Sequence, residues 1–346
     1  MAEGRRTILV AGPPFRGYLG MIADAFTKCG LETAALEWQY MKRNLGEEIM
    51  YYSSQGYRTR LGNARDKANA LVLERAVLDR SPDYVLVVKA VDLTDKTVAH
   101  CADSGTKTVL WAYDSAAEFP VIGRAAPKYD LVYTYEPADI EVLSRTCFPK
   151  LLPMAFDPRY YFRKTGRESK SLDICFVGAV DMYPQRRRLL RHISDRFREK
   201  TIGVWTDCAH WYSHKRVRDM LVFGPKRNVE IHRQTLDHAS INDIYNRSRI
   251  CVNVHHRQSV RAVNPRTFEI LGSGGLLITD RRLDEIEGFE EGEGYVHYSD
   301  EAELMDRLGM LLEDDQKAQR IADAGHLAAG THTYEQRARA ILDALR

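Results

Sequence analysis

The stretch LDICFVGAVDMYPQRRRLLRHISDRFREKTIGVWT, residues 172–206, decides the fold. Asp173–Val177 is a short apolar run closed by Gly178. ICFVG is continuous rather than alternating, which marks a strand buried on both faces, as in a parallel sheet covered by helices. Gln185–Lys200 is charged and helix-compatible, and Thr201–Trp205 is again a strand-length apolar run. Strand, helix, strand is the repeating unit of parallel α/β sheets.

The same alternation extends in both directions. Strand-length runs lie upstream at Thr7–Ala11, Thr33–Trp38, Tyr84–Lys89, Thr108–Tyr113, Leu131–Tyr135 and Leu151–Met154, with VLVV at 85–88 again continuous. Others lie downstream at Val229–His232, Ile250–His255, Leu276–Thr279 and Tyr295–His297. Helix-compatible segments fall at Gly20–Lys28, Ala64–Arg80, Ile241–Ser248 and Glu301–Leu312, and the chain ends in Asp315–Ala324 and Thr333–Leu345. One sheet holding all these strands would be unusually large, whereas two sheets of about six strands suit this length. The join is expected in Phe156–Leu172, which is polar, charged and without periodicity. The expected domains are 1–156, 157–330, and a terminal helix at 331–346 packing back on the first.

Charge and cysteines bound the function. Lys+Arg number 50 against 48 Asp+Glu, a formal charge of +2, which argues against a general nucleic-acid or anionic-membrane binder. The apolar run Ile8–Ala11 is too short for a signal-peptide core, and no stretch approaches the ~18–20 apolar residues that span a bilayer. Cys29, Cys101, Cys147, Cys175, Cys208 and Cys251 show no CxxC spacing, so a reducing cytoplasm is the expected compartment.

Two tandem doubly wound domains are expected to face a central cleft at the carboxyl ends of their strands, where ligands of such sheets bind. The loop Gly12-Pro13-Pro14-Phe15-Arg16-Gly17 follows the first strand. It is neither GxGxxG nor a Walker A loop. It is open to two readings, an acceptor-side ligand loop (Gly12, Pro13, Arg16) and a plain turn. Gly178, followed by Arg186, Arg187 and Arg188, places a close-approach glycine and a helix start together, which favours a phosphate. Its alternative is a solvated basic helix face. Arg266 and Glu269 share a helix face opened by Pro265, ahead of the turn Gly272-Ser273-Gly274-Gly275. Such a carboxylate suits ribose hydroxyls and such an arginine a diphosphate. The alternative is a simple Arg266–Glu269 pair with a glycine helix stop. Asp114, at the end of VLWAY, is the first candidate base and His255 the second. An N-cap role competes for Asp114. His255 and His256 are adjacent, so on a strand they point to opposite faces. Trp205, His210, Trp211, Tyr212, His214, Lys215 and Arg216 form a polar-aromatic group that either contacts a large acceptor or packs on itself.

PRTFEILGSGGLLITD (265–280), DICFVGAVDMYPQRRRLL (173–190), IYNRSRICVNVHHR (244–257) and HTYEQRARAIL (332–342) together resemble the CgeB-like, spore maturation protein-type glycosyltransferases. WAYDS and DLVYTYEP in the first half are similar too. The resemblance implies a GT-B fold, two Rossmann-like domains, with a family-1-type sugar transferase domain in the C-terminal half. It implies a hexosyltransferase-like enzyme using a UDP- or dTDP-linked sugar without a metal or other cofactor. Glu269 then matches the ribose carboxylate. Gly274 and Gly275, with Ser273 in the same turn, match positions near the donor sugar. Gly178 and an arginine among Arg186–Arg188 match the phosphate side, with Arg266 near it. Retaining GT-B enzymes often carry a second Glu eight residues before the ribose Glu; here that position is Arg261. The acceptor stays open among glycan, protein, small molecule and modified nucleobase, as does a homodimer. The competing readings are a GT-B-type nucleotide-sugar epimerase and a catalytically silent sugar-nucleotide-binding or assembly protein.

Overall fold

The computed structural model describes residues 5–38, 47, 50, 53–89, 93, 97–98, 101, 104–165, 170–180, 183–206, 228–256 and 259–346. The chain divides into two units, the first made of 1–154, 258–262 and 334–346, the second of 155–257 and 263–333.

The first unit holds β1 (Thr7–Gly12), β2 (Glu32–Glu37), β3 (Tyr84–Val88), β4 (Lys107–Ala112), β5 (Leu131–Thr134) and β6 (Pro149–Leu151). Their order is β2-β1-β3-β4-β5-β6, and every neighbouring pair is parallel. The second holds β7 (Leu172–Val177), β8 (Ile202–Thr206), β9 (Val229–Arg233), β10 (Ser248–Asn253), β11 (Leu276–Thr279) and β12 (Val296–His297). Its order is β12-β11-β10-β7-β8-β9, again all parallel. Read from β9, this is the doubly wound 3-2-1-4-5-6 order.

The sheets are buried as their sequences require. Every residue of YVLVV in β3 is buried. In the first unit Leu9, Val85, Val87 and Leu110 share a core with Leu73 and Val77 of the helix Gln55–Arg80. That helix begins well before Ala64 because Ser54 caps it, its side chain accepting the Tyr57 N–H. In the second unit Ile174, Phe176, Ile250 and Val252 pack with Leu190 and Ile193 of the helix Pro184–Arg196 and with Leu304 and Leu308 of Glu301–Glu313. Cys175 and Cys251 are paired in register on β7 and β10, fully buried and unbridged. They act as small apolar residues.

β6 falls earlier than the expected Leu151–Met154, pairing Pro149 with Val132 and Leu151 with Thr134. An edge strand tolerates Pro149, whose missing N–H needs no ladder partner. The segment expected as a polar join is packed where it is described. Phe156 is buried against Gly272, its N–H donating to the His332 carbonyl, and buried Tyr161 bonds His238 Nδ1 at 2.6 Å. Its aromatic residues outweigh its charges.

A reciprocal Asp–Thr pair closes the amino-terminal edge at three places. Asp83 accepts both the N–H (2.7 Å) and hydroxyl (2.9 Å) of Thr7, and Thr7 Oγ1 accepts the Asp83 N–H at 3.0 Å. Asp130 and Thr108 repeat this at 2.8, 3.0 and 3.2 Å, and Asp173 and Thr201 at 2.8, 3.0 and 3.0 Å. Each satisfies backbone donors at a strand start that the ladder leaves open.

Two late segments group with the first unit. Glu136, fully buried after β5, accepts the backbone N–H groups of Val260, Arg261 and Ala262 at 2.8, 3.0 and 3.2 Å. Tyr135 and Ser259 share a hydroxyl hydrogen bond at 2.9 Å. In the terminal helix Tyr334–Ala344, Arg337 Nε donates to the Pro153 carbonyl at 2.8 Å, and the Ala340 carbonyl accepts from the Tyr133 hydroxyl at 3.3 Å. None of the described helices is long and apolar enough to cross a membrane.

Candidate functional site

In the second unit the winding direction reverses between β7 and β10, so the carboxyl ends of those strands form the expected ligand crevice. Gly178 follows β7, His255 follows β10, Asp280 follows β11 and Tyr298 follows β12. The helices Pro184–Arg196 and Pro265–Gly272 both start at this edge. Neither has an acidic residue in its first turn or a side-chain cap. Their dipoles make the edge attractive to an anion.

Two guanidiniums lie there. Arg186 is buried, 3 % exposed, and donates to the carbonyls of Ala179 (2.9 Å) and Val254 (2.7 Å). It stacks on the Tyr183 ring at 4.3 Å, and among the described residues its Nε has no partner. Burial first, and then the nearby Arg266, bring its pKa down to about 10, so it stays charged at neutral pH. Arg266 donates to the Val177 carbonyl at 3.1 Å. Its guanidinium occupies the space a Cβ would need at Gly178, which explains the glycine. Among the described residues neither arginine forms an ion pair, so the simple Arg266–Glu269 pairing is not what forms. Arg187 turns aside to the Val180 carbonyl, 3.0 Å, and Arg188 is exposed towards Glu301.

His255 has a fully buried side chain. Its Nδ1 lies 2.7 Å from Asp280 Oδ1, and its backbone N–H donates to both Asp280 oxygens at 2.9 and 3.2 Å. Burial drives the His255 pKa down, partly offset by Asp280. Burial would raise Asp280, but the hydrogen bonds and charge of His255 outweigh it and hold the carboxyl low. The arrangement that satisfies both residues is an ionised Asp280 accepting from Nδ1–H of a neutral ring. Among the described residues, His255 Nε2 and the buried Tyr298 hydroxyl have no partner. His256 instead stacks edge-on against Tyr183 at 4.9 Å.

Glu269 is buried, 2 % exposed, on the Pro265–Gly272 helix, with its charge acting on Tyr245. The turn after that helix sits elsewhere. Ser273 Oγ donates to the Glu269 carbonyl at 2.7 Å, and the N–H groups of Gly274 and Gly275 donate to Leu271 and Ile270 at 2.9 Å each. Gly274 has φ +71, packs against Arg163, and ends the helix. The turn precedes β11, so it lies at the amino-terminal edge, level with Ser248 and Leu172 in the strand register and roughly 20 Å along the strands from Gly178 and His255. The structure therefore gives Ser273, Gly274 and Gly275 a helix-stop role away from the arginines.

In the first unit, Gly12 ends β1, and a Cβ there would meet the Val88 carbonyl at 2.6 Å. Close strand approach accounts for this glycine. Pro13 is buried, while Arg16 is exposed with φ +48. Asp114 follows β4 and pairs with Lys89 Nζ at 2.9 Å. Lys89 adopts φ +61 after β3 and lies 5.9 Å from the Phe15 ring. The segment Ser115–Phe119, which Asp114 would cap, is a turn rather than a helix, and the next helix, Pro120–Ala125, has Phe119 at its N-cap position. Sequence reading passed over Lys89, Asp280 and Tyr298, although their places just after strands mark all three. Cys208 and the His210–Arg216 portion of the aromatic group lie outside the described residues; Trp205 is stacked on His232 at 4.8 Å.

Residues 185–343 match the family model described as "Glycosyl transferase-like". A search of curated protein sequences finds no match. Among solved structures, the chain is similar to the UDP-forming α,α-trehalose-phosphate synthase from Burkholderia xenovorans in complex with glucose-6-phosphate. The identity is 13%, the cover 99% of this chain and 100% of that one, and the TM-score 0.72. Anabaena HepE, solved with UDP and glucose, is 14% identical with 99% of both chains covered and a TM-score of 0.64. A Listeria monocytogenes structure, the putative UDP-N-acetylglucosamine 2-epimerase, is 12% identical with 99% and 96% covered and a TM-score of 0.62. The fold is thus the two-domain α/β GT-B fold, and residues 185–343 are similar to the glycosyl transferase-like family.

Proposed function

We propose that the protein is a glycosyltransferase of the CgeB-like branch that moves a sugar from a nucleoside-diphosphate donor, UDP- or dTDP-linked, to an acceptor. The observation that carries this is Arg186 together with Arg266, two cations without a carboxylate partner among the described residues, at the β7/β10 switch point. Their carbonyl bonds fix their positions before any ligand arrives. A diphosphate between them gains charge-assisted hydrogen bonds, and these strengthen as charge builds on it when the sugar departs. Glu269 takes the ribose hydroxyls. Asp114, held by Lys89, draws the proton from the acceptor hydroxyl. The UDP-bearing HepE structure and the glycosyl transferase-like match support the donor class. The described thiols are free, in keeping with a reducing cytoplasm.

The arginines supply the charge a metal would otherwise provide, so donor turnover is expected to persist in excess EDTA. Thermal shift and donor hydrolysis across a panel of nucleotide sugars test the whole reading. Stabilisation by one donor with release of its nucleoside diphosphate is expected. Silence across the panel points to a binding or assembly protein, and acceptor-free conversion of a donor to its epimer points to an epimerase.

A further inference from the structure

The donor-site reading leaves the Asp280–His255 pair and its unpartnered Nε2 unexplained. A buried polar atom without a partner costs about 1–3 kcal/mol, and several such atoms at one sheet edge suit a polar ligand. His255 Nε2 is of this kind, and so are Arg186 Nε and the Tyr298 hydroxyl. All three residues are at least nine-tenths buried and belong to one edge of one sheet. Arg186 also grips the carbonyl of Val254, the residue before His255.

The groups facing the ring come from several elements. Asp280 after β11 holds Nδ1, and Thr279 Oγ1 lies 3.5 Å from the same atom. The positive charges of Arg266, from the Pro265–Gly272 helix, and of Arg281 oppose protonation. Asp280 feels Arg281 as well, and its charge reaches Arg186. A neutral ring suits this cation-flanked site. An arriving diphosphate reverses the balance, because it neutralises the arginines and offers Nε2 an anionic oxygen. A lone pair on Nε2 would repel that oxygen, whereas an N–H would bond it.

We infer that His255, oriented by Asp280, takes up a proton on Nε2 when the diphosphate of a nucleotide sugar seats beside Arg186 and Arg266, so that donor binding is coupled to protonation. The inference rests on the donor-site reading above. It gives His255 a task other than that of a base towards the acceptor. The proton comes from solvent, Nε2 supplies the electron pair, and no covalent bond to the ligand forms. The resulting N–H faces the leaving group. When the bond from the sugar's anomeric carbon to the diphosphate oxygen breaks and the electron pair stays on that oxygen, the imidazolium already balances it. Asp280 is a positioning residue, since it touches only His255.

An opposite charge placed within a few ångströms raises a histidine pKa by about 1–3 units. His255 therefore binds the proton more tightly with donor than without. Donor affinity is highest below the free-state pKa and falls as pH rises through the bound-state pKa. The loss is roughly tenfold per unit of rise.

Calorimetry with UDP-glucose tests this, because its diphosphate, unlike that of UDP, has no terminal phosphate that titrates near neutral pH. At pH 7, in two non-phosphate buffers of different ionisation enthalpy, the native protein should take up a substantial fraction of one proton. His255→Gln should still bind UDP-glucose, with no uptake and a flat pH profile. Asp280→Asn should bind with reduced uptake. In the native protein, the His255 C2–H resonance should titrate at higher pH with donor than without, a readout that needs no variant. Binding without proton uptake, or uptake undiminished in His255→Gln, overturns the inference and leaves the donor reading standing. Failure of every donor in the panel to bind overturns both.

Discussion

Glu136 receives the backbone N–H of Arg261 at 3.0 Å, flanked by those of Val260 and Ala262 on the same carboxylate. A side chain from the end of β5 thereby fixes a backbone segment more than a hundred residues later in the chain. Replacing Glu136 by Gln keeps the shape but puts an NH2 group where an oxygen accepted. With one or two buried N–H groups left unpaired, the protein should lose about 1–3 kcal/mol of stability. Urea denaturation measures the loss, and hydrogen exchange should speed up at 260–262. Unchanged protection there would show that the clamp contributes little.

Gly178→Ala tests the donor site. The added methyl displaces the Arg266 guanidinium, the far end of a flexible side chain, rather than backbone. Donor affinity should drop severalfold. Stability should fall by about 1–3 kcal/mol as well, because φ at Gly178 is +158, where an L side chain is strained, so the affinity loss is what sets this variant apart. Gly12→Ala is the contrasting control, because its methyl meets the rigid Val88 carbonyl. It should unfold more easily, by about 1–3 kcal/mol. If both variants lost donor affinity alike, the proposed division between binding and packing would fail.

Glu269→Ala and Arg266→Gln should each weaken UDP binding by about 10- to 100-fold, the loss of one hydrogen bond to a charged group. The arginine variant should also flatten the dependence of affinity on salt. Unchanged UDP affinity in Glu269→Ala, measured by calorimetry, would remove Glu269 from the ribose.

Acid sensitivity should trace in part to Asp173. Burial alone would raise its pKa, but the Thr201 N–H, Arg249 and the Thr201 hydroxyl hold it below the usual value. A lowered folded-state pKa contributes stability above the unfolded value of about 3.9, and loses it as pH falls through the folded value. Asp173→Asn should therefore lower the melting temperature at pH 7 and have little effect near pH 2. An equal loss at both pH values would mean the pair acts through packing rather than charge.

The strands were readable because parallel strands buried on both faces are continuously apolar, and ICFVG and VLVV, bounded by turn residues, fit that pattern. Arg186 and Arg266 stood out as candidates at helix starts, and His255 at the end of a strand-like run. Partnership was not readable. Asp280 lies 25 residues from His255, and Glu136 lies 125 from Arg261. No local pattern announces such pairs, which exist only once the sheets form. Gly274 and Gly275 misled for the opposite reason, because a glycine-rich turn looks the same whether it receives a ligand or ends a helix. Only the edge of the sheet on which it falls distinguishes the two.

The three Asp–Thr pairs give the two rims of these sheets different vocations. At Thr7, Thr108 and Thr201 each donor already has its acceptor, and a newcomer would have nothing to grasp. At the opposite rim of the second sheet, imidazole, guanidinium and phenol atoms are held in place yet unanswered. Specificity could therefore be redesigned at one rim of this scaffold while the other is left to keep it folded.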